Sequence, residues 1–126
     1  MIAEFDFLTV TGRDDAFLPL GAGDILFEKG DLGTTMFIVR SGRIEVFDDD
    51  VTLETIGPGG ILGEMGVVDD EPRSAAARAL TAAEVIVIDR PNFEALIHQS
   101  TAFAVQVMRV LARRLRAMNR RVVDGI

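Results

Sequence analysis

The sequence contains no cysteine, tryptophan or tyrosine, and its single histidine is His98. The missing cysteines exclude disulfides, thiolate metal sites, iron–sulfur clusters and cysteine catalysis. One imidazole cannot supply a two-histidine-and-carboxylate site, which excludes a cupin-type oxygenase or isomerase. We therefore predict that the chain is not an enzyme and that it holds no metal.

Long apolar runs are missing as well. No segment has the run of about 20 apolar residues that a membrane-spanning helix needs. Residues 1–10 interleave Glu4 and Asp6 with apolar side chains, which is unlike a signal peptide. The 126 residues are 48% hydrophobic, enough for one globular domain over residues 1–126. We predict a cytoplasmic domain without membrane insertion.

Basic residues are scarce over most of the chain, and the net charge is −7. Residues 1–100 hold 7 basic and 19 acidic residues, a net charge of −12. Residues 101–126 hold 6 basic residues and 1 acidic residue, a net charge of +5. Because nucleic-acid affinity depends mainly on neutralising phosphates, an acidic body argues against direct binding to nucleic acid.

Short runs rich in Val, Ile, Phe and Leu alternate with turns that contain Gly and Asp. We predict strands over residues 25–27, 36–40, 43–47, 52–56 and 83–88, and an extended segment over residues 1–16. Turn signals at intervals of about 8–12 residues are typical of a β-sandwich or barrel. The predicted fold class is therefore mainly β over residues 1–90.

The pattern becomes helical after residue 90. Pro91 suits a first helical turn, and Phe93 and Leu96 share one face, so we predict a short helix over residues 91–99. A long helix is predicted over residues 101–123, with Ser100 or Thr101 as its N-cap. Its stripe Phe103, Val107 and Val110 is predicted to pack on the β-domain, and Arg109, Arg113, Arg116 and Arg120 to face solvent.

A second stripe on the long helix has alternating spacings of three and four residues, as in a paired helix. From it we predict a homodimer. The contact residues would be Met108, Leu111, Leu115, Met118 and Val122. The alternative is one broad core face without a dimer.

Residues 63–76 carry the chemistry. A short helical turn beginning at Glu64 would present free amides to an anion. The planar fork of Arg73 suits two phosphate oxygens, the Ser74 hydroxyl can bind the same anion, and the Glu64 carboxylate can accept from a sugar hydroxyl. The segment predicts a nucleotide-phosphate cradle, with a solvated Glu–Arg pair as the alternative.

Two short motifs stand out within this segment, Gly63-Glu64-Met65-Gly66 and Pro72-Arg73-Ser74-Ala75. They resemble the phosphate-binding cassette of the cyclic nucleotide-binding domain family, particularly the sensor half of catabolite activator protein-like regulators. The resemblance extends over residues 17–122. It implies an eight-stranded, jelly-roll-like double-stranded β-helix, followed by helices, of which the last and longest covers the pocket and moves when ligand binds.

The resemblance also implies roles for individual residues. Arg73 and Ser74 would hold the cyclic phosphate with the amides of residues 63–66, Glu64 would accept from the ribose 2′-hydroxyl, and Arg114 would contact Glu64. Val46, Leu53 and Ile56 would surround the base. The expected ligand-binding residues are Val46, Leu53, Ile56, Gly63, Glu64, Met65, Gly66, Arg73, Ser74, Ala75, Arg114 and Asn119.

The chain departs from the family pattern on the long helix. Positions that read adenine with hydroxyl groups hold Met118 and Asn119, and the Asn119 amide can still bind a base. Ser74, where some cGMP-selective members carry threonine, favours cAMP over cGMP as the ligand. Haem is not expected.

No DNA-reading segment follows residue 126, so the chain is expected to be a stand-alone sensor or the sensor part of a truncated transcription regulator or channel. A ligand-free dimerisation or docking domain of the same fold is the other alternative.

Overall fold

The structure is a computed structural model that describes residues 7–10 and 16–124, with the side chains of residues 9–10 and 121–124 outside the description. In these residues a 3₁₀ turn, Phe7–Val10, precedes eight strands and three α-helices. In chain order these are β1 Phe17–Leu20, β2 Ile25–Phe27, β3 Met36–Ser41, β4 Ile44–Asp48, β5 Val51–Ile56, β6 Ile61–Leu62, α1 Glu64–Asp69, β7 Ala76–Ala79, β8 Ala83–Ile88, α2 Arg90–Gln99 and α3 Thr101–Asp124.

The strands form two four-stranded antiparallel sheets, in the orders β1-β8-β3-β6 and β2-β7-β4-β5. Side chains alternate across β3, and both faces are buried. Phe37 and Val39 pack between the sheets, whereas Met36 and Ile38 pack under the helices. The predicted β-roll with C-terminal helices, the last one long, is confirmed.

Strands β2 and β8 have the predicted bounds, and β3, β4 and β5 differ from prediction by one residue at one or both ends. Strand β7 was not predicted, because Ala76–Ala79 has no β-branched or aromatic residue. It forms because it pairs with both β2 and β4, and the small side chains of Ala77 and Ala79 fill the space between the two sheets. Tertiary pairing overrides the weak local preference.

The predicted extended N-terminus is wrong for Phe7–Val10, which forms the 3₁₀ turn. The Phe7 amide donates to the Gly59 carbonyl at 3.0 Å, and its buried ring meets the Phe103 ring edge to face, with centroids 6.0 Å apart. Burial of this ring under α3 explains why the segment turns. The remainder of the predicted extended segment, apart from Ala16, lies outside the described residues.

Helix α3 packs on the roll through the predicted stripe, because Phe103, Val107 and Val110 are all buried. The predicted cap is also confirmed, since the Ser100 hydroxyl accepts from the Phe103 amide at 3.1 Å. Leu111, predicted as a dimer contact, is half buried in the single chain and packs against its helical core. Its contact with a second subunit stays a prediction.

The other predicted dimer positions differ in their exposure. Met108, Leu115 and Met118 are 58%, 56% and 42% exposed, and the side chain of Val122 lies outside the described residues. An apolar stripe of α3 is therefore open to solvent in the single chain. Over the described part of the chain, none of the helices has both the length and the apolar character of a membrane span.

Candidate functional site

A cavity of about 340 Å³ lies between α1, strands β4 and β5, and helix α3. The cassette forms its floor, and the middle turns of α3 cover it. The lining residues are Phe27, Val46, Leu53, Glu54, Leu62, Gly63, Glu64, Met65, Gly66, Pro72, Arg73, Ser74, Ala75, Val110, Arg113, Arg114, Ala117 and Met118. The cavity is therefore mainly apolar, with five charged side chains on its walls.

Glycines allow the cassette to close around Arg73. Gly63 begins α1 with a φ of +77°, and a Cβ there would lie 2.8 Å from Nη1 of Arg73. A Cβ on Gly66 would lie 2.4 Å from the Gly33 carbonyl oxygen, and one on Gly33 would lie 2.6 Å from Nη2 of Arg73. Real Cβ atoms do not make such short contacts, so the buried guanidinium requires these three positions to lack a side chain.

Arg73 is only 7% exposed, although it carries a positive charge. Its Nη1 donates to the Gly63 carbonyl at 3.0 Å, and its Nη2 donates to the Thr35 carbonyl at 2.8 Å. Its guanidinium carbon also lies 4.5 Å from the ring centroid of Phe27. Burial lowers the pKa of Arg73, and the charges of Glu64 and Asp31 act against that shift. A buried cation with neutral oxygen partners is suited to an anionic ligand.

Glu64 is 3% exposed and pairs with Arg114 of α3, at 2.6 Å between Oε1 and Nη1. The contact expected between these two side chains is therefore present. Arg114 also donates to the Ile61 carbonyl at 2.7 Å and to both carboxylate oxygens of Glu54, at 2.9 and 3.2 Å. Its burial acts to lower its pKa, but the charges of Glu64 and Glu54 outweigh that effect and raise the pKa.

Sequence reasoning missed Glu54, and a β-bulge explains why. Val46 pairs with Glu54 and Phe47 pairs with Thr52, which leaves Leu53 as an extra residue in β5. On a regular strand, consecutive side chains point to opposite faces, so an inward Leu53 would turn Glu54 outward. The bulge breaks this alternation, and both residues line the cavity.

Two of the expected site residues do not reach the cavity. Among the described residues that line it, neither Ile56 nor Asn119 is included. Ile56 is 4% exposed and packs in the core between the sheets. Asn119 is exposed, because the cavity-facing side of α3 passes through Arg114 and Met118 instead. The other ten expected residues all line the cavity.

Helix α3 contributes two lining residues that were not among the expected ligand-binding residues. Arg113 was predicted to face solvent only, but its side chain also lines the cavity. Met118, predicted as a dimer contact, also lines the cavity and is 42% exposed. The four-residue spacing from Val110 to Arg114 and from Arg114 to Met118 is the signal that places these turns on one face.

Residues 7–10 and 16–124 contain no cluster of three or more His, Cys, Asp or Glu side chains that could hold a metal ion. The acidic side chains of the cavity, Glu54 and Glu64, are both paired with Arg114.

The β-roll contains a covered cavity with a buried arginine beside a glycine-rich turn and a buried carboxylate. Such a cavity is suited to a small anionic molecule. The chain belongs to the cyclic nucleotide-binding domain family, because the model of that family, described as "Cyclic nucleotide-binding domain", matches residues 17–100. The family expected from the two cassette motifs is confirmed.

Comparison with individual proteins agrees. The chain is 36% identical over 99 residues to the "Cyclic AMP receptor protein" of Thermus thermophilus, a match that covers 75% of this chain and 46% of that protein. The crystal structure of the Thermus thermophilus "Catabolite Activator Protein" superposes with a TM-score of 0.77 at 32% identity, covering 86% of this chain and 53% of that chain.

A further solved structure, reported under "A cyclic-GMP-dependent signalling pathway regulates bacterial phytopathogenesis", has a TM-score of 0.74 at 33% identity. It covers 86% of this chain and 89% of that chain. The chain spans about half the length of the curated relatives it matches.

Proposed function

We propose that this domain binds a 3′,5′-cyclic nucleotide in the cavity under α3, with cAMP preferred over cGMP. The observation that carries the proposal is the presence of Arg73 and Glu64 in one cavity, 7% and 3% exposed. They supply a cation for the cyclic phosphate and an acceptor for a ribose hydroxyl. A cavity of about 340 Å³ also lies within the range of about 300–1,000 Å³ that is usual for small-molecule sites.

The phosphate end of the ligand is assigned to Arg73 and Ser74. A guanidinium has five N–H donors, which is more than Arg73 uses in its three hydrogen bonds to Gly63 and Thr35. It can therefore hold phosphate oxygens and keep its place in the cassette. The exposed hydroxyl of Ser74 lines the same end of the cavity and can donate to the phosphate.

The base is assigned to the apolar wall formed by Val46, Leu53 and Met118. The preference for cAMP has two supports: Ser74 occupies the position where some cGMP-selective members carry threonine, and one relative is named a cyclic AMP receptor protein. The similarity to a structure from a cyclic-GMP-dependent pathway makes cGMP the necessary competitor in any test.

The proposed role is binding and regulation in the cytoplasm, where cyclic nucleotides act as intracellular signals. Both cavity carboxylates are ion-paired with Arg114, so neither is placed as a general base. Because Arg114 belongs to α3, its ion pair with Glu64 connects the ligand site to that helix. A ligand shifts the helix only as far as its affinity differs between two helix positions.

Isothermal titration calorimetry of the whole chain with cAMP and with cGMP tests this proposal. We expect saturable binding in the micromolar range or tighter, stronger for cAMP, and its loss in Arg73→Ala. Arg40→Ala is the matched control, since Arg40 of β3 pairs with Glu84 of β8 and does not line the cavity. Absence of saturation with both nucleotides contradicts the proposal, and stronger binding of cGMP contradicts the stated preference.

We further propose a homodimer through the exposed stripe Met108, Leu115 and Met118 of α3, which extends along one helix face. Sedimentation equilibrium is expected to give twice the monomer mass for the wild type and the monomer mass for Leu115→Glu. Arg116→Glu changes a neighbouring exposed residue outside the stripe and is expected to remain dimeric. A monomeric wild type contradicts the dimer.

A further inference from the structure

Glu54 forms an ion pair with Arg114, the arginine that also pairs with Glu64. Its carboxylate makes a two-point contact with Arg114, from Oε1 to Nε at 2.9 Å and from Oε2 to Nη2 at 3.2 Å. The arginine side chain is 19% exposed and the Glu54 side chain 45% exposed, so the pair lies at the rim of the cavity. The β5 bulge turns Glu54 inward and makes this contact possible.

The remaining contacts of Arg114 complete a fixed arrangement. Its Nη2 also donates to the Ile61 carbonyl at 2.7 Å, and its Nη1 contacts Oε1 of Glu64 at 2.6 Å. A guanidinium is planar and rigid, so fixing Nε and Nη2 sets the direction in which Nη1 points. The orientation of the buried Glu64 carboxylate therefore depends on a carboxylate from a different strand.

We propose that Glu54 is a positioning residue for ligand recognition: through Arg114 it fixes the Glu64 carboxylate in the orientation that accepts a hydrogen bond from the ribose 2′-hydroxyl. This inference rests on the proposed cyclic nucleotide binding. Arg114 holds Oε1 of Glu64, and Oε2 is the oxygen assigned to the ligand. Recognition of the ribose then requires a chain of three side chains from β5, α3 and α1.

A second effect of Glu54 has the opposite sign and must be separated from the first. Glu54 places a negative charge in a cavity for an anionic ligand, and its removal favours binding of every such ligand. Positioning of Glu64 acts only on ligands that have a 2′-hydroxyl. A comparison of cAMP with 2′-deoxy-cAMP therefore isolates the positioning effect, because charge repulsion and any loss of stability act on both ligands alike.

The experiment is calorimetric titration of the whole chain with cAMP and with 2′-deoxy-cAMP, and its readout is the ratio of the Kd for 2′-deoxy-cAMP to the Kd for cAMP. In Glu54→Ala this ratio is expected to fall about threefold to fivefold, the effect of a partly exposed ion pair. In Glu54→Gln, which keeps one acceptor oxygen and the side-chain shape, it is expected to fall less. Glu84→Ala is the matched control, because Glu84 also pairs with an arginine, Arg40, away from the cavity.

A fall of the ratio in Glu54→Ala, with the control unchanged, supports the inference. An unchanged ratio in Glu54→Ala overturns it, even if both ligands bind more weakly, as does an equal fall in Glu84→Ala. A wild-type chain that binds neither ligand overturns the proposed function together with this inference. A wild type that binds both ligands, with a ratio that Glu54→Ala leaves unaltered, overturns this inference alone.

Discussion

For the substitution Gly66→Ala, helix propensity and tertiary packing predict opposite changes in stability. Gly66 lies inside helix α1, where alanine is favoured over glycine by up to about 1 kcal/mol. Helix propensity alone therefore predicts a more stable protein. The structure predicts the reverse, because the new Cβ would lie 2.4 Å from the Gly33 carbonyl oxygen and 2.8 Å from Nη1 of Arg73.

The magnitude follows from which atoms would have to move. Overpacking a tight site costs about 1–3 kcal/mol, and the upper part of that range applies because the closer contact is with backbone. After subtraction of the helix gain, we expect a net loss of about 1–2 kcal/mol, which lowers the Tm of a domain of this size by about 3–8 °C. The cyclic nucleotide affinity is expected to fall as well, because Arg73 is displaced from its position.

Thermal unfolding followed by circular dichroism, with titration of the same samples, measures both effects. Gly57→Ala is the matched control, since a Cβ at Gly57 would meet no atom within 4 Å and its backbone does not have a positive φ. We expect that control to keep its Tm within about 2 °C, as neutral surface substitutions do. A Gly66→Ala variant with a raised Tm and unaltered ligand affinity would refute the reasoning.

Two further predictions concern the stability of the roll. Phe103 is fully buried between the rings of Phe7 and Phe93, so Phe103→Ala is expected to lower the free energy of unfolding by about 3–5 kcal/mol in urea titration. The hydrogen bond from Thr52 lowers the pKa of Glu45. The ionised Glu45 carboxylate therefore stabilises the fold at pH values above its unfolded-state pKa. This stabilisation is lost as the pH falls through its folded-state pKa. Thr52→Ala is expected to reduce the stability difference between about pH 6 and about pH 3, and an unchanged difference contradicts the assignment.

The cassette was predictable because its determinants are contiguous in sequence. Two glycines, a glutamate, an arginine and a serine within residues 63–74 require no knowledge of tertiary contacts, and all of them line the cavity. The strands β3 and β8 were equally predictable from the sequence, since most of their apolar side chains are buried. The helix stripe of Phe103, Val107 and Val110 follows from the same kind of periodicity.

The parts that could not be predicted depend on contacts between distant segments. Strand β7 forms from alanines because its neighbours supply the pairing. Glu54 faces the cavity because of one β-bulge, and no residue in β5 predicts a bulge at that position. The periodicity of α3 did not determine which of its residues face the cavity: Arg113 and Met118 line it although they were not expected ligand-binding residues, whereas Asn119 does not line it.

The central claim is that Arg73 and Glu64 bind the cyclic phosphate and the ribose of one nucleotide. A crystal structure of the chain with cAMP tests it most directly. We predict phosphate oxygens about 2.7–2.9 Å from the guanidinium nitrogens of Arg73, as in other charge-assisted hydrogen bonds, and the ribose 2′-hydroxyl bonded to the Glu64 carboxylate. A nucleotide bound with its phosphate away from Arg73, or with its ribose hydroxyl away from Glu64, would contradict the account.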